Sequence, residues 1–298
     1  MKISIIIPTL NEEKYIVYLL KDIKKQTFTD YEVIVADAGS KDKTRAIAKK
    51  YKARVVAGGL PAVGRNRGAA VAQGEYLFFF DADVRLPADF LQKAYAEMQE
   101  RGLDIASCEF LPISDLLVDR VLHRTVNTFF KIHQFTYPHA PGFCTLVTKE
   151  VFNKAGGFDE EIKIAEDHDF SKRAAYFGLF RVLFSTHIRV SVRRLKKEGR
   201  IGISKKYLQT ELYRYVLGEL KTDIVEYEFD KFDDEKKSFL EKNLIRLDKK
   251  LVAINKSLDR VIYRRAKKGM EWLGVKKYLS TARHGYNRVF EELVKLLD

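Results

Sequence analysis

Cysteine is nearly absent from this chain of 298 residues, which holds only Cys108 and Cys144. Two thiols so far apart offer neither a zinc-ligand spacing nor a disulfide framework, so a reducing compartment, the cytoplasm, is the expected setting. Long apolar runs are missing as well. The opening Met1-Lys-Ile-Ser-Ile-Ile-Ile-Pro8 is too short for an export signal, and no segment is long enough to span a bilayer. Several signatures of nucleotide and hydrolase chemistry are also absent. No Gly-x-Gly-x-x-Gly follows the first predicted strand, no Gly-x-x-x-x-Gly-Lys-[Ser/Thr] occurs, and neither Gly-x-Ser-x-Gly nor His-Glu-x-x-His is present. Dinucleotide, P-loop, serine-hydrolase and zincin readings therefore have no support.

What is abundant is positive charge at one end. The net charge is +13, yet residues 1–187 carry 26 Lys and Arg against 24 Asp and Glu, which leaves 28 against 17 for residues 188–298. An excess confined to the last third suggests an anionic partner, either a membrane surface or nucleic acid. The basic residues lie at helical spacing among acids, without an RNA- or DNA-binding motif, so nucleic acid is not expected. Leu240, Leu244, Leu247, Leu251, Ile254, Leu258 and Val261 alternate four and three residues apart, a heptad seam. This 240–261 seam permits a homodimer and equally an internal helical hairpin. Residues 203–298 thus read as a basic, all-helical C-terminal extension, and Lys267, Lys268, Lys276, Lys277 and Arg283 suit anionic headgroups at the inner face of a membrane.

Residues 1–202 read differently. Lys2-Ile-Ser-Ile-Ile-Ile7 is a buried strand that Pro8 and Asn11 are expected to break before an amphipathic helix opening at Glu12. Glu32-Val-Ile-Val-Ala36 repeats the pattern and ends in Asp37, with a helix from Asp42 through Tyr51. A strand over 53–57 leads into a helix carrying Gly64-Arg-Asn-Arg-Gly68. The fourth strand, Glu75-Tyr-Leu-Phe-Phe-Phe-Asp-Ala-Asp-Val84, is apolar throughout and stops at two carboxylates one residue apart. A strand buried on both faces holds no charge cheaply, so Asp81 and Asp83 belong at its carboxyl end, where open α/β sheets bind ligands. Hard oxygen ligands at that spacing suit Mg²⁺ or Mn²⁺ carrying phosphate. The alternation predicts a doubly wound α/β domain with a mostly parallel sheet.

Six segments then fall in one order: Ile-Ile-Ile-Pro-Thr-Leu-Asn-Glu-Glu (5–13), Asp-Ala-Gly-Ser-Lys-Asp (37–42), Arg-Asn-Arg-Gly (65–68), Gly-Glu-Tyr-Leu-Phe-Phe-Phe-Asp-Ala-Asp (74–83), Gly-Gly-Phe-Asp-Glu (156–160) and Glu-Asp (166–167). Together they resemble family 2 glycosyltransferases of the GT-A fold, over roughly residues 1–200. The resemblance implies a Rossmann-like GT-A domain and metal-dependent, inverting transfer of one sugar. The donor would be a UDP- or GDP-sugar and the acceptor lipid-linked, a saccharide or otherwise polar, at the cytoplasmic membrane face. It implies that Asp37 contacts the base or ribose, that Asp83 binds Mn²⁺ or Mg²⁺, and that Asp81 serves the ribose or the metal through water. Pro8, Asn11, Glu12, Ala82 and Gly142 would line the nucleotide sugar, with Arg65, ahead of Arg67, as a contact to its diphosphate or base. Asp167 would be the general base, with Glu166 orienting it.

Each assignment has a plainer counterpart. Asp37 in Asp-Ala-Gly-Ser is also a turn residue, Glu166 and Asp167 are also helix N-terminal carboxylates, and arginines such as Arg65 and Arg67 usually solvate a helix. His187 is a candidate third metal ligand, although aligning on Ser191-Val-Arg-Arg194 puts Val190 there instead; Arg193 and Arg194 suit the diphosphate. His133 and His139 are expected at the surface. Leu116, Leu117, Val121, Leu122, Val126, Phe129 and Phe130 form a helical apolar stripe, expected to pack on the core or else to meet a greasy acceptor or lipid. Without Gln-x-x-Arg-Trp the chain departs from processive synthases, and Arg85 stands where polyprenyl-phosphate mannose synthases often have glutamine. A sugar nucleotidyltransferase shares the architecture, but its Gly-rich signature is missing near the first strand. A membrane- or nucleic-acid-binding module built on the basic tail is the remaining alternative.

Overall fold

A computed structural model of the protein describes residues 1–135, 138–162, 165–200 and 246. The expected boundary at 202, the helical extension and, apart from Arg246, the heptad seam lie outside the described residues. The chain runs β1 (Ile3–Thr9), α1 (Ile16–Lys24), β2 (Tyr31–Asp37), α2 (Thr44–Lys50), β3 (Arg54–Ala57), α3 (Pro61–Ala70), β4 (Tyr76–Phe79) and α4 (Phe90–Glu100). It continues through β5 (Ile105–Pro112), α5 (Leu117–His133), β6 (Thr145–Thr148), α6 (Lys149–Lys154), α7 (Glu166–Ala174), β7 (Phe180–Val190) and α8 (Arg193–Glu198).

The seven strands form one sheet in the order β3-β2-β1-β4-β6-β5-β7. Only β6 runs against its neighbours; the other pairs are parallel. The order reverses between β1 and β4, the switch point where such sheets leave a crevice. β4 is buried on both faces as its composition requires. Phe78 and Phe80 join Ile5, Leu19 and Phe90 on one side, while Leu77 and Phe79 join Ile6, Phe152 and Phe170 on the other. Each such side chain contributes roughly 1.5–3 kcal/mol by leaving water.

Pro8 does not end β1, contrary to expectation; the strand continues through Thr9, with Pro8 paired to Ala36 and Thr9 to Asp37. The reason is geometric. Ile6 accepts from Phe80 on the β4 side, so Pro8, two residues on, turns its missing donor toward that same side, where β4 has already ended.

The chain divides into two compact units. Among the described residues the larger holds 1–113 and 123–191, and the smaller holds 114–122, 192–200 and Arg246. In the smaller unit Arg200 forms a bidentate pair with Asp119 at 2.6 and 2.9 Å, both side chains buried, beside Val192, Leu195 and Leu122. The smaller unit also contains Arg193 and Arg194, and Arg194 is paired with Glu198 at 2.9 Å.

The stripe on α5 packs otherwise than expected. Val126 and Phe130 do face the core, but Val121 and Phe129 are exposed, while Asp119, His123, Asn127 and Gln134 are buried. Polar residues are tolerated there because their bonds are satisfied: Asn127 accepts from the Phe110 amide and donates to its carbonyl, and Gln134 accepts from the Val182 amide.

Candidate active site

The C-terminal ends of β2, β1 and β4 lie side by side, so Asp37 and the Asp81–Asp83 pair leave the sheet along one edge, two strand spacings or about 10 Å apart. At the β2 end the Asp37 carboxylate is buried and well occupied. Its Oδ1 accepts from the Gly39 and Ser40 amides at 3.1 and 2.9 Å, and its Oδ2 from the Ser40 and Thr9 hydroxyls at 2.5 and 3.2 Å. The turn-forming reading of Asp37 therefore holds. Two loops are sewn together here: the Asn11 amide donates to Ser40, the Lys41 amide to the Asn11 side chain, and the Glu12 amide to Thr44. Asn11 itself takes a left-handed backbone, φ 54°, which asparagine tolerates better than most residues.

At the β4 end the chain leaves the ladder after Phe80 and turns through Asp81, Ala82 and Asp83. Ala82 is buried and the two aspartates are half-buried. Next to them stands Arg65, the buried centre of the site. Its Nη1 donates to Glu166 at 2.6 Å and its Nη2 to Asp81 at 3.1 Å, while its guanidinium lies 5.3 Å from the Phe158 ring centre. Sequence reasoning placed Arg65 as a contact to the donor's base or diphosphate, or else as a solvated helix residue. The structure makes it a clamp between two carboxylates. Its signal was the neighbouring glycine: a Cβ on Gly68 would overlap the Ile6 side chain, so α3 lies directly on β1 and Arg65 points inward. Arg67, on the exposed side, donates to the Gly58 carbonyl at 2.6 Å.

α7 brings the remaining acids. Ala165 precedes it in a left-handed conformation, φ 63°, a strained arrangement for a residue with a Cβ. Glu166 is buried beside Arg65, and the Gly142 amide donates to Asp167 Oδ2 at 2.5 Å. A Cβ on Gly142 would collide with the Arg65 guanidinium and crowd that Asp167 oxygen at 3.2 Å. Glycine is thus required because backbone, guanidinium and carboxylate meet there. Burial raises the Glu166 carboxyl above its ordinary value, with Asp167 adding to the shift and Arg65 opposing it. Arg65 is held above its ordinary value although burial works against the charge, because Glu166, Asp81 and Asp167 all attract it.

Two histidines complete the surroundings. His139, expected at the surface, is buried with its ring 3.3 Å from that of His168, whose Nε2 lies 3.7 Å from Asp167 Oδ1. Position alone gave no hint of it: the burial comes from the fit of the 138–142 segment against α7, where Ser171 Oγ receives the Ala140 amide at 3.1 Å. His133, by contrast, ends α5 half-buried, with Nδ1 2.9 Å from the Phe129 carbonyl. Arg85 takes no part in the cluster; it pairs with Asp22 at 2.5 and 2.9 Å.

Three carboxylates around one guanidinium leave the cluster short of positive charge, and hard oxygen donors of this kind suit Mg²⁺ or Mn²⁺. Among the described residues no three His, Cys, Asp or Glu side chains are grouped closely enough to hold an ion alone. Mg²⁺ commonly takes one or two protein carboxylates and completes its shell from phosphate and water. His187 sits on β7 opposite Glu109 and, among the described residues, joins no such group.

The profile of the family described as "Glycosyl transferase family 2" matches residues 4–156. The chain is 30% identical over 194 residues to the uncharacterized glycosyltransferase EpsJ of Bacillus subtilis, a match covering 58% of this chain and 55% of EpsJ. It is also 30% identical over 200 residues to the poly(ribitol-phosphate) beta-N-acetylglucosaminyltransferase TarS of Staphylococcus aureus, covering 58% of this chain and 32% of TarS. The chain thus spans about half the length of one relative and a third of the other. The crystal structure of TarS residues 1–349 with UDP-GlcNAc superposes with a TM-score of 0.54 at 26% identity, covering 64% of this chain and 58% of that one.

Proposed function

The chain belongs to the family described as Glycosyl transferase family 2, and from that premise we propose that it moves a single sugar, with inversion, from a UDP- or GDP-sugar to a hydroxyl of a saccharide or lipid-linked acceptor. The observation that carries this reading is the Arg65 clamp, which gathers Asp81 of the β4 turn and Glu166 of α7 into one cluster beside Asp167. In this reading the donor's diphosphate lies over Asp81 and Asp83, and its nucleoside lies toward the β2 end, where Pro8, Asn11, Glu12 and Asp37 shape the wall. The UDP-GlcNAc complex of TarS supports a UDP-linked donor. Mn²⁺ or Mg²⁺ at Asp83 and Asp81 supplies, when bound, charge stabilisation for the departing diphosphate.

Asp167 is the general base. The acceptor oxygen bonds to the anomeric carbon as the bond from that carbon to the diphosphate oxygen breaks; the hydroxyl proton passes to Asp167, and the nucleoside diphosphate leaves as an anion. The Gly142 amide fixes one Asp167 oxygen, while Glu166, locked on Arg65, sets the start of α7 and so the direction of the base.

Thermal denaturation with UDP- and GDP-sugars, each with and without Mn²⁺ or Mg²⁺, tests the proposal. At least one nucleotide sugar should stabilise the protein only with metal present, by about 2.7 kcal/mol at a hundred times its Kd, and Asp83→Ala should abolish the response. Equal responses from both proteins would remove the metal assignment. Release of pyrophosphate from a nucleoside triphosphate and a sugar phosphate would point instead to nucleotidyl transfer.

A further inference from the structure

β7 lies at the edge of the sheet, and its outer side carries large apolar side chains that nothing in the proposed transfer uses. Phe184 is 69% exposed, and Phe135 and Ile132, at the end of α5, are each 66% exposed. They meet around Val182. Its amide donates to Gln134, next in sequence to Phe135, and its carbonyl accepts from Arg101, whose guanidinium stacks 4.3 Å from the Phe184 ring centre. Arg181 lies 4.5 Å from the Phe135 ring centre in the same manner. Each aromatic ring therefore presents one face to solvent with a guanidinium on its other side.

Basic side chains flank the rings: Arg101 and Arg181 stack on them, and Arg124 and Lys131 stand on α5. The acids that neighbouring elements turn this way are already engaged. Glu97 binds Arg101 and the Phe184 and Ser185 amides, Asp104 receives the Leu179 amide, and Glu109 pairs with Lys131 at 2.5 Å. The same bonds close the edge to another strand, since the Val182, Phe184 and Ser185 amides have partners. A second copy would bring like charge and find no open ladder there.

We propose that this β7 edge of the larger unit is a membrane contact, in which Phe135, Ile132 and Phe184 enter the interfacial layer and the surrounding guanidinium and ammonium groups meet anionic lipid headgroups. Vesicle binding is read without a transfer assay, so its failure would leave the sugar-transfer reading intact. The test is co-sedimentation of the full chain with vesicles of phosphatidylcholine alone and of equal parts phosphatidylcholine and phosphatidylglycerol. The protein should bind the mixed vesicles preferentially. Phe135→Ser combined with Phe184→Ser should weaken that binding by about tenfold or more, the scale of one buried aromatic side chain, with a melting temperature lowered only slightly, because each ring is mostly in water and gives up one exposed cation–π contact. Three results would overturn the proposal: wild-type protein that ignores the mixed vesicles, a double variant that binds them as the wild type does, or a wild-type dimer that the double substitution turns into monomer.

Discussion

The two ends of the binding edge hold their carboxylates by opposite means. Asp37, at the β2 end, accepts from two amides and two hydroxyls, and the cation beside it, Arg45, is exposed and stands 3.6 Å away. Glu166 and Asp81, beyond the β4 end, are held by a buried cation, with Asp167 drawn toward the same charge. Dipoles build a rigid loop and leave the carboxylate little capacity for anything else. A guanidinium shared among several acids builds a site whose charge is still unbalanced, suited to receiving a cation or a proton. In the proposed reading the β2 end is a preformed wall for the nucleoside, and the chemistry belongs at the other end.

The sharpest way to break this contrast is at the base. Asp167→Asn keeps the size of the side chain and removes its capacity to take a proton, so transfer to a hydroxyl acceptor should fall about 10²–10⁴-fold, with donor affinity retained in a thermal-shift titration. Undiminished turnover would strip Asp167 of its role. Arg65→Met comes next. It leaves Glu166 buried without its counter-charge, and the loss of one partner of a buried pair costs about 3–5 kcal/mol in urea unfolding. Thr9→Val at the opposite end removes one hydroxyl bond to Asp37, long at 3.2 Å, and should cost only about 1.5 kcal/mol. If the two costs match, the division into dipolar and ionic ends is wrong.

Gly142→Ala sharpens the comparison further. The added methyl must displace the Arg65 guanidinium and shift the oxygen of Asp167 that the backbone amide fixes. A displacement on the scale of 1 Å at a reacting group can cost about a hundredfold in rate, and overpacking costs about 1–3 kcal/mol in stability. Steady-state kinetics should therefore show kcat reduced well beyond what the loss of folded protein explains.

How much of this could be read from residue order follows the same divide. The places of Asp37, Asp81 and Asp83 at strand ends were legible because an apolar run stops there, a local signal, whereas Asp167 read locally only as a helix-terminal carboxylate and was singled out by the family resemblance. The sheet order and the antiparallel β6 are consistent with the α/β pattern but were not written in it, since pairing between distant strands leaves no mark on either one. Arg65 was half legible: Gly64 and Gly68 announced a close helix, yet an arginine between them resembles a solvated residue until its partner a hundred positions later, Glu166, is brought beside it. The α5 stripe divided: Val126 and Phe130 pack on the core, while Val121 and Phe129 do not. Val121 and Phe129 follow helical periodicity, but burial went to Asn127 and Gln134, whose bonds to Phe110 and Val182 exist only once β5 and β7 have formed.

The smallest effect separates the two ends by sign. At the nucleoside end Asp42 is the group whose carboxyl shifts: burial pushes it up, but bonds from Thr44 and the Glu13 amide outweigh that and hold it below its ordinary 3.8. Its contribution to stability is present above 3.8 and is lost as pH falls through the lower folded value, because the unfolded chain binds its proton first. Glu166 is shifted the other way. Its folded value lies above the ordinary 4.5, so between the two values the folded protein holds more protons than the unfolded chain, and stability declines as pH rises through that window. Glu166→Gln, whose side-chain oxygen still accepts from Arg65, should therefore flatten the melting temperature above pH 4.5, and Asp42→Asn should flatten it only below pH 3.8. Melting curves across both windows distinguish the cases. A Glu166→Gln profile parallel to the wild type would mean that the carboxyl titrates as it does in water, and the picture of a buried acid held short of counter-charge would fail with it.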